Sequence, residues 1–237
     1  MKARILASSL GAAMVALAAA FSLPLQSAAA APAPCSDVDV VFARGTAEPP
    51  GLGGTGTTFV ESMRLLGGGR SISSYAVDYP ASANFGNQVA FVDNVVQGIR
   101  DVRTHIESTV ANCPGTKIVL GGYSQGAVVN WFATLPGKPE SMPAEVWSGM
   151  PAPLSAEADD NIVAVVNFGK PSARFMRDAG ALPLTVAASD AQKTIDYCIP
   201  FDNICDGQPL AQPNALHVLY AVNGMTVAGA QFALSHL

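Results

Sequence analysis

Basic residues are scarce in this chain and never form a run. The 237 residues include 13 Lys and Arg against 18 Asp and Glu, which gives a net charge of −5. An acidic surface repels phosphate backbones, so we expect no nucleic-acid partner. Histidine is also rare, with three residues, and the four cysteines lack the C-x-x-C spacing of many zinc sites. We therefore expect neither a metal nor an organic cofactor.

The first 30 residues have the features of a secretory signal peptide. Lys2 and Arg4 precede an apolar stretch over residues 5–23, and a small-residue cleavage site ends near Ala30. Polar interruptions and Pro24 disfavour a stable membrane anchor, so we expect cleavage near Ala30 and secretion. Cleavage removes two basic residues and no acid, so 13 basic residues become 11 and the net charge becomes −7.

Residues 31–237 are expected to form one domain in which strands and helices alternate. Predicted strands are Val38–Phe42, Ser73–Tyr79, Lys117–Gly122, Ile162–Phe168 and Thr194–Tyr197; predicted helices are Phe59–Leu66, Val89–Val110, Ala127–Leu135 and Asn223–His236. This order indicates an α/β fold with a mainly parallel sheet that helices cover on both faces. The segment 136–160, rich in proline, alanine and acidic residues, is expected to be a surface excursion rather than a linker.

A G-x-S-x-G motif occupies Gly122–Gly126, between an apolar strand and a helix-compatible run. Its glycines permit a sharp strand-to-helix turn that brings backbone and helix close together. Such a turn lifts Ser124 to the carboxyl end of the strand, and the amides of the following helix face the atom that the serine attacks. The motif therefore predicts Ser124 as a nucleophile.

A serine hydroxyl needs a neighbouring base, and three histidines are available. His105 precedes Ser124 on the predicted long helix, where we expect a surface position. His236 lies beside the carboxyl terminus, where fraying is expected. His217 follows the last predicted strand and fits the chain order serine, acid, histidine of α/β-hydrolases. His217 is therefore the predicted base.

Four cysteines in an exported chain favour disulfides over metal ligands. Three pairings are possible. Cys198 and Cys205 bracket a short segment that suits a local loop closure, and this pairing would leave Cys35 for Cys113.

The acid is expected between Ser124 and His217, beyond a strand end and in a position that is held still. Asp202 meets these demands because it follows the predicted strand Thr194–Tyr197 and lies between the last two cysteines. Asp206, just outside that segment, and Asp196, inside the strand, remain the alternatives.

Three segments carry a family resemblance, namely Phe42–Thr46 (FARGT), Gly121–Ala127 (GGYSQGA) and Cys198–Cys205 (CIPFDNIC), with His217 following the last. Together they resemble the cutinase family, most closely its actinobacterial members. The resemblance covers essentially all of the expected mature chain in order and spacing. It implies an α/β-hydrolase fold without a large lid.

The resemblance also implies a set of site residues. They are a triad of Ser124, Asp202 and His217, oxyanion donors at the backbone of Thr46 and Gln125, disulfides Cys35–Cys113 and Cys198–Cys205, and apolar substrate-binding loops around Phe85, Leu210 and Leu216. We expect a monomer that hydrolyses short- to medium-chain acyl esters. A lipase or phospholipase acting on long-chain lipids, and a secreted lipid-binding relative without turnover, are the alternatives. A chain-length series of esters separates them.

Overall fold

The computed structural model describes residues 34–140, 142, 144, 149–181 and 191–237. The predicted signal peptide lies outside the described residues. Within these ranges, no helix has the length and apolar character needed to cross a membrane.

Five parallel strands form the central sheet in the order β2-β1-β3-β4-β5. They are β1 (Val38–Ala43), β2 (Ile72–Ala76), β3 (Lys117–Tyr123), β4 (Ile162–Phe168) and β5 (Thr194–Tyr197). The central strands β1, β3 and β4 are almost wholly buried, because helices cover them on both sides. Ala43 of β1 pairs with Gly122 of β3, so these strands end at the same edge of the sheet.

Helices pack on both faces of the sheet, which confirms the predicted α/β architecture. They are α1 (Gly53–Leu66), α2 (Gln88–Asn112), α3 (Gln125–Ala133), α4 (Ala156–Asn161), α5 (Ala173–Asp178) and α6 (Met225–Leu234), with a 3₁₀ turn at Ala215–Val218. Side chains of β1 alternate between two apolar cores: Val40 and Phe42 pack with α1 and α6, whereas Val41 packs with α2 and α3.

Helix α1 begins at Gly53, six residues before the predicted start at Phe59. The carboxylate of Glu48 accepts hydrogen bonds from the Gly45 N–H at 2.6 Å and the Gly54 N–H at 2.8 Å. A negative charge at free helix amides is stabilising, so a residue upstream of the helix supports its first turn.

Strand β2 ends at Ala76 rather than at the predicted Tyr79. The buried guanidinium of Arg44 donates to the carbonyl oxygens of Val77, at 3.3 Å, and Tyr79, at 2.6 Å. These contacts draw the chain away from the sheet towards the loop that follows β1.

The described residues of the segment 136–160 are mostly exposed, as the predicted surface excursion requires, and contacts with α2 hold them. The segment contains helix α4, and the side chain of Met142 is buried. Arg103 of α2 donates to the carbonyl oxygens of Pro151, at 2.6 Å, and Ala152, at 2.9 Å. A buried cation on α2 thus fastens this surface excursion.

Candidate active site

Ser124 lies on the sharp turn between β3 and α3. Its φ of 53° places a residue with a side chain in the left-handed region, which costs conformational energy. The Ser124 N–H donates to the Phe168 carbonyl oxygen at 2.9 Å, so the end of β4 holds the turn. A Cβ atom at Gly126 would lie 1.9 Å from the Ala43 carbonyl oxygen, so only glycine fits there. The G-x-S-x-G segment thus adopts the turn that its sequence predicts.

The imidazole of His217 connects Ser124 with Asp202. His217 Nε2 lies 2.9 Å from Ser124 Oγ, and His217 Nδ1 lies 2.8 Å from Asp202 Oδ2. Asp202 is fully buried and His217 is 3% exposed, whereas Ser124 is partly accessible. When Nδ1–H donates to the carboxylate, Nε2 is left as the acceptor for the serine proton.

Asp202 lies in the loop after β5 and receives several hydrogen bonds. Burial opposes ionisation, but donation from His217, from the Tyr220 hydroxyl at 2.6 Å and from the Ile204 N–H at 3.0 Å outweighs it and lowers the pKa of Asp202. The carboxylate is therefore ionised at neutral pH, as an acceptor for imidazole must be.

The two alternative acids have other partners. Asp206 Oδ2 accepts a hydrogen bond from the Phe201 N–H at 2.7 Å. Asp196 forms an ion pair with Lys170 and accepts a hydrogen bond from Asn167 Nδ2 at 2.9 Å. Both carboxylates are thus engaged away from the His217 imidazole.

Two tyrosines support the histidine and the acid, and no motif in the sequence marks either. Tyr123 donates to the His217 carbonyl oxygen at 2.6 Å. Tyr220 accepts a hydrogen bond from the Ile199 N–H at 3.1 Å, so its own proton goes to Asp202. Burial raises the pKa of both phenols, which keeps them as donors. The only signal in the sequence was an aromatic residue next to Ser124 and another shortly after His217.

Both disulfides implied by the resemblance are present. Cys35 pairs with Cys113 across a sequence separation of 78, and Cys198 pairs with Cys205 across a separation of 7. Cys205 Sγ lies 3.3 Å from Asp202 Oδ2, so the short disulfide closes directly against the carboxylate.

The two other histidines both have partners within the protein. His105 is partly buried, with Nε2 at 2.6 Å from Asp39 Oδ2 and its ring stacked on Tyr75, because its face of α2 packs over β1 and β2. The predicted surface position was therefore wrong.

His236 lies just beyond the end of α6. Its ring nitrogens lie 2.9 Å from the Phe232 carbonyl oxygen and 3.1 Å from the Gln192 carbonyl oxygen. Both contacts are to backbone carbonyl oxygens, so this ring is engaged away from Ser124.

Thr46 follows β1 and Gln125 opens α3, so the two expected oxyanion donors lie on adjacent elements. Among the described residues, neither backbone N–H donates to another protein group. Residues 81 and 82 form hydrogen bonds close to both donors, one with the residue after Thr46 and one with the side chain of Gln125. The Ala81 carbonyl oxygen accepts from the Ala47 N–H at 2.7 Å, and the Ser82 carbonyl oxygen accepts from Gln125 Nε2 at 3.2 Å.

The three predicted substrate-binding residues lie in two separate segments. Phe85 is exposed in the loop before α2 and packs against Phe91, with ring centroids 5.2 Å apart. Leu210 is exposed in the segment before the 3₁₀ turn, and partly buried Leu216 lies within that turn, next to His217. Their contact with substrate stays a prediction.

Comparison with known proteins gives concordant matches. The cutinase family model matches residues 34–237. Carboxylesterase Culp1 of Mycobacterium tuberculosis is 41% identical over 91% of this chain and 88% of its own. Phospholipase Culp4 of the same species is 41% identical over 92% of this chain and 88% of its own. The structure of Trichoderma reesei cutinase in complex with a phosphonate inhibitor is 31% identical, with a TM-score of 0.60, and the match covers 86% of this chain and 77% of that one.

A parallel sheet covered on both faces, with a serine on a strained turn at its carboxyl edge, defines the α/β-hydrolase class. Within that class, the chain belongs to the cutinase family. This confirms the resemblance and assigns the chain to the carboxylic ester hydrolases.

Proposed function

We propose that this protein is a secreted serine esterase that hydrolyses short- to medium-chain carboxylic esters through Ser124, His217 and Asp202. The observation that carries the proposal is the continuous contact from Ser124 Oγ to His217 at 2.9 Å and from His217 to Asp202 at 2.8 Å. Serine, imidazole and an ionised carboxylate in this order supply a nucleophile, a base and an orienting group.

Acylation begins when Ser124 Oγ attacks the ester carbonyl carbon and His217 Nε2 takes the hydroxyl proton. Asp202 holds the imidazole and stabilises its positive charge. The carbonyl oxygen becomes an oxyanion, which accepts hydrogen bonds from the N–H groups of Thr46 and Gln125. Because both donors are fixed before the reaction, stabilising the oxyanion requires little rearrangement.

The tetrahedral intermediate then collapses as His217 Nε2–H protonates the leaving alcohol oxygen. An acyl-enzyme on Ser124 remains. Water attacks the acyl carbon, His217 takes a proton from that water, and the carboxylic acid leaves as His217 returns the proton to Ser124 Oγ. The proposed cycle draws its nucleophile, acid and base from the chain itself and uses no cofactor.

Secretion is the second part of the proposal, with residues 1–30 as the signal peptide and residues 31–237 as the catalytic domain. The two disulfides support it, because disulfides persist in oxidising compartments outside the cytosol. Mass spectrometry of the amino terminus of the exported protein would test the cleavage site near Ala30.

Hydrolysis of long-chain phospholipid esters is the second candidate. It is supported by the name of Culp4, a phospholipase that is as similar to this chain as Culp1 is. Initial rates with p-nitrophenyl esters of increasing acyl length, followed by phospholipid vesicles, separate the two candidates. A maximum at short or medium chains favours the esterase, and a rate that rises to the longest chains and to vesicles favours the phospholipase.

A serine-directed organophosphate tests the nucleophile. We expect one label per chain, located on Ser124 by peptide mass spectrometry, and loss of ester hydrolysis in proportion to labelling. Ser124→Ala is the matched control, and it should take up no label and hydrolyse no ester. Full activity of Ser124→Ala would contradict the proposal.

A further inference from the structure

Phe201 has a conformation that is unfavourable for its residue type. Its φ is 69°, in the left-handed region that glycine adopts freely and that a bulky side chain adopts at a cost. Its side chain is 73% exposed, so burial of the ring gives little stability in return. Neither backbone preference nor packing of the folded chain explains a phenylalanine at this position.

Both backbone polar groups of Phe201 are held by side chains. The N–H donates to Asp206 Oδ2 at 2.7 Å, and the carbonyl oxygen accepts from Asn214 Nδ2 at 2.8 Å. Asp206 lies in the loop after β5 that carries Asp202, whereas Asn214 caps the 3₁₀ turn that carries His217. Two side chains thus hold the strained backbone of Phe201, and the ring itself faces solvent.

The position of Phe201 lies on the histidine side of the site. Its chain neighbour is Asp202. Its carbonyl oxygen accepts a hydrogen bond from Asn214, which lies three residues before His217. The donors expected for the oxyanion lie elsewhere, beside the segment 81–82. Val218, the residue after His217, is a second exposed apolar residue in this part of the chain.

We propose that Phe201 contacts the alcohol part of the ester and determines specificity for apolar alcohols. This inference rests on the proposed function. In that cycle His217 protonates the leaving alcohol oxygen, so the alcohol departs past the imidazole and towards the segment that displays Phe201. An alkyl chain that covers the ring removes apolar surface from water, which favours esters with longer alcohols.

Two isomeric esters test the proposal, namely hexyl butyrate and butyl hexanoate, each below its solubility limit. They have the same composition and differ only in which side of the ester is longer. Phe201→Asn removes the ring, and asparagine tolerates the left-handed conformation. We expect the ratio of kcat/KM for hexyl butyrate to that for butyl hexanoate to fall about tenfold, the low end for losing methylene contacts. Leu65→Asn, at an 84% exposed position at the end of α1, is the matched control and should keep the wild-type ratio.

Phe201→Gly separates the ring from the backbone. Glycine relieves the positive φ, so the melting temperature should equal or exceed that of the wild type, while the ratio should fall as in Phe201→Asn. An unchanged ratio in both variants, or equal losses on both isomers, would overturn the proposal. The proposed esterase function would still stand if the wild-type protein hydrolyses esters and takes up the organophosphate on Ser124. An active Ser124→Ala variant would contradict the esterase function itself.

Discussion

The described residues include two histidine–carboxylate pairs with similar distances, one through Nδ1 of the imidazole and one through Nε2. His217 lies 2.8 Å from Asp202, and His105 lies 2.6 Å from Asp39. Both carboxylates are buried, Asp202 fully and Asp39 with 5% exposure. A serine also accompanies each pair. Residue types, distances and burial alone therefore do not distinguish a candidate catalytic centre from a structural one.

The two pairs differ in which atom the serine contacts and in their place on the sheet. Ser124 contacts the free nitrogen of His217, whereas Ser73 donates to the carboxylate of Asp39 at 2.7 Å. Asp39 is the second residue of β1, so it lies towards the amino end of the strand, roughly 13 Å before the edge at which Ser124 turns out. A histidine–carboxylate pair suits acyl transfer when it lies at the carboxyl edge of the sheet and a serine contacts the imidazole nitrogen that does not face the carboxylate.

Replacement of each histidine gives the largest expected contrast. His217→Gln should lower kcat/KM on p-nitrophenyl butyrate by about 10⁴-fold, because the base and the acid of the cycle are lost together. His105→Gln should keep turnover and lower the melting temperature, since it removes one partner of a buried carboxylate.

Circular dichroism of both variants provides the folding control for this contrast. A loss of turnover in folded His105→Gln as large as that in His217→Gln would show that the assignment of the two pairs is wrong.

The two disulfides offer a second contrast, because each closes a loop that contains the carboxylate of one pair. Cys198–Cys205 closes the loop of Asp202, and Cys113 ends the helix that carries His105. Replacing the short-loop cysteines by alanine should leave a folded protein whose turnover falls about 10²-fold, since an acid displaced by roughly 1 Å orients the imidazole poorly.

Replacing Cys35 and Cys113 by alanine should have the opposite profile. The loop spans 78 residues, so the variant should lose about 2–4 kcal/mol of unfolding free energy while turning over normally at low temperature. Thermal unfolding and low-temperature kinetics of both double variants test this. Normal turnover without the short disulfide would remove its role in holding Asp202 and would reopen Asp206 and Asp196 as acids.

The smallest contrast concerns the hydroxyl groups that donate to the carboxylates. Tyr220→Phe should lower kcat about tenfold, because Asp202 loses a donor that fixes its Oδ2 atom, whereas Ser73→Ala should leave kcat unchanged. A hydrogen bond to a buried charge is worth about 1.5–3 kcal/mol, so Tyr220→Phe should also lose about that much stability at pH 7.

The stability loss in Tyr220→Phe should depend on pH. The folded-state pKa of Asp202 is lowered, so its ionisation stabilises the fold above the unfolded-state pKa of about 3.9, and that contribution disappears as the pH falls through the folded-state value. Removing the Tyr220 donor weakens this lowering. Urea unfolding should therefore show a larger difference between variant and wild type at pH 7 than at pH 3, and an equal difference at both would contradict the linkage.

Much of the fold could be predicted because the central strands are apolar runs separated by helical patterns. The predicted bounds of β4 and β5 agree with the structure. The first turn of α1 could not be predicted, because its support comes from Glu48, outside the helix. The end of β2 depends on Arg44, a residue that is distant in sequence, and no local pattern contains that information.

The candidate site likewise has features that the sequence predicts and features that it does not. The sequence predicted that Ser124, His217 and Asp202 would meet, and they lie within hydrogen-bond distance, while their catalytic roles stay predictions. The partner of His105 was missed because Asp39 lies on a strand that packs beneath the helix, 66 residues away. The strained conformation of Phe201 was equally invisible, since a positive φ at a non-glycine residue arises from tertiary contacts.

The strand order also bears on how the protein behaves at high concentration. The edge strands β2 and β5 have five and four residues, and each carries polar groups that are already engaged. Arg64 donates to Ser74 on β2 at 3.2 Å, and Lys170 forms an ion pair with Asp196 on β5. Short edge strands whose side chains bind charged residues of the same molecule pair poorly with a strand of another molecule. We therefore expect little edge-to-edge aggregation of the folded protein, so that concentrated preparations aggregate only after the chain unfolds.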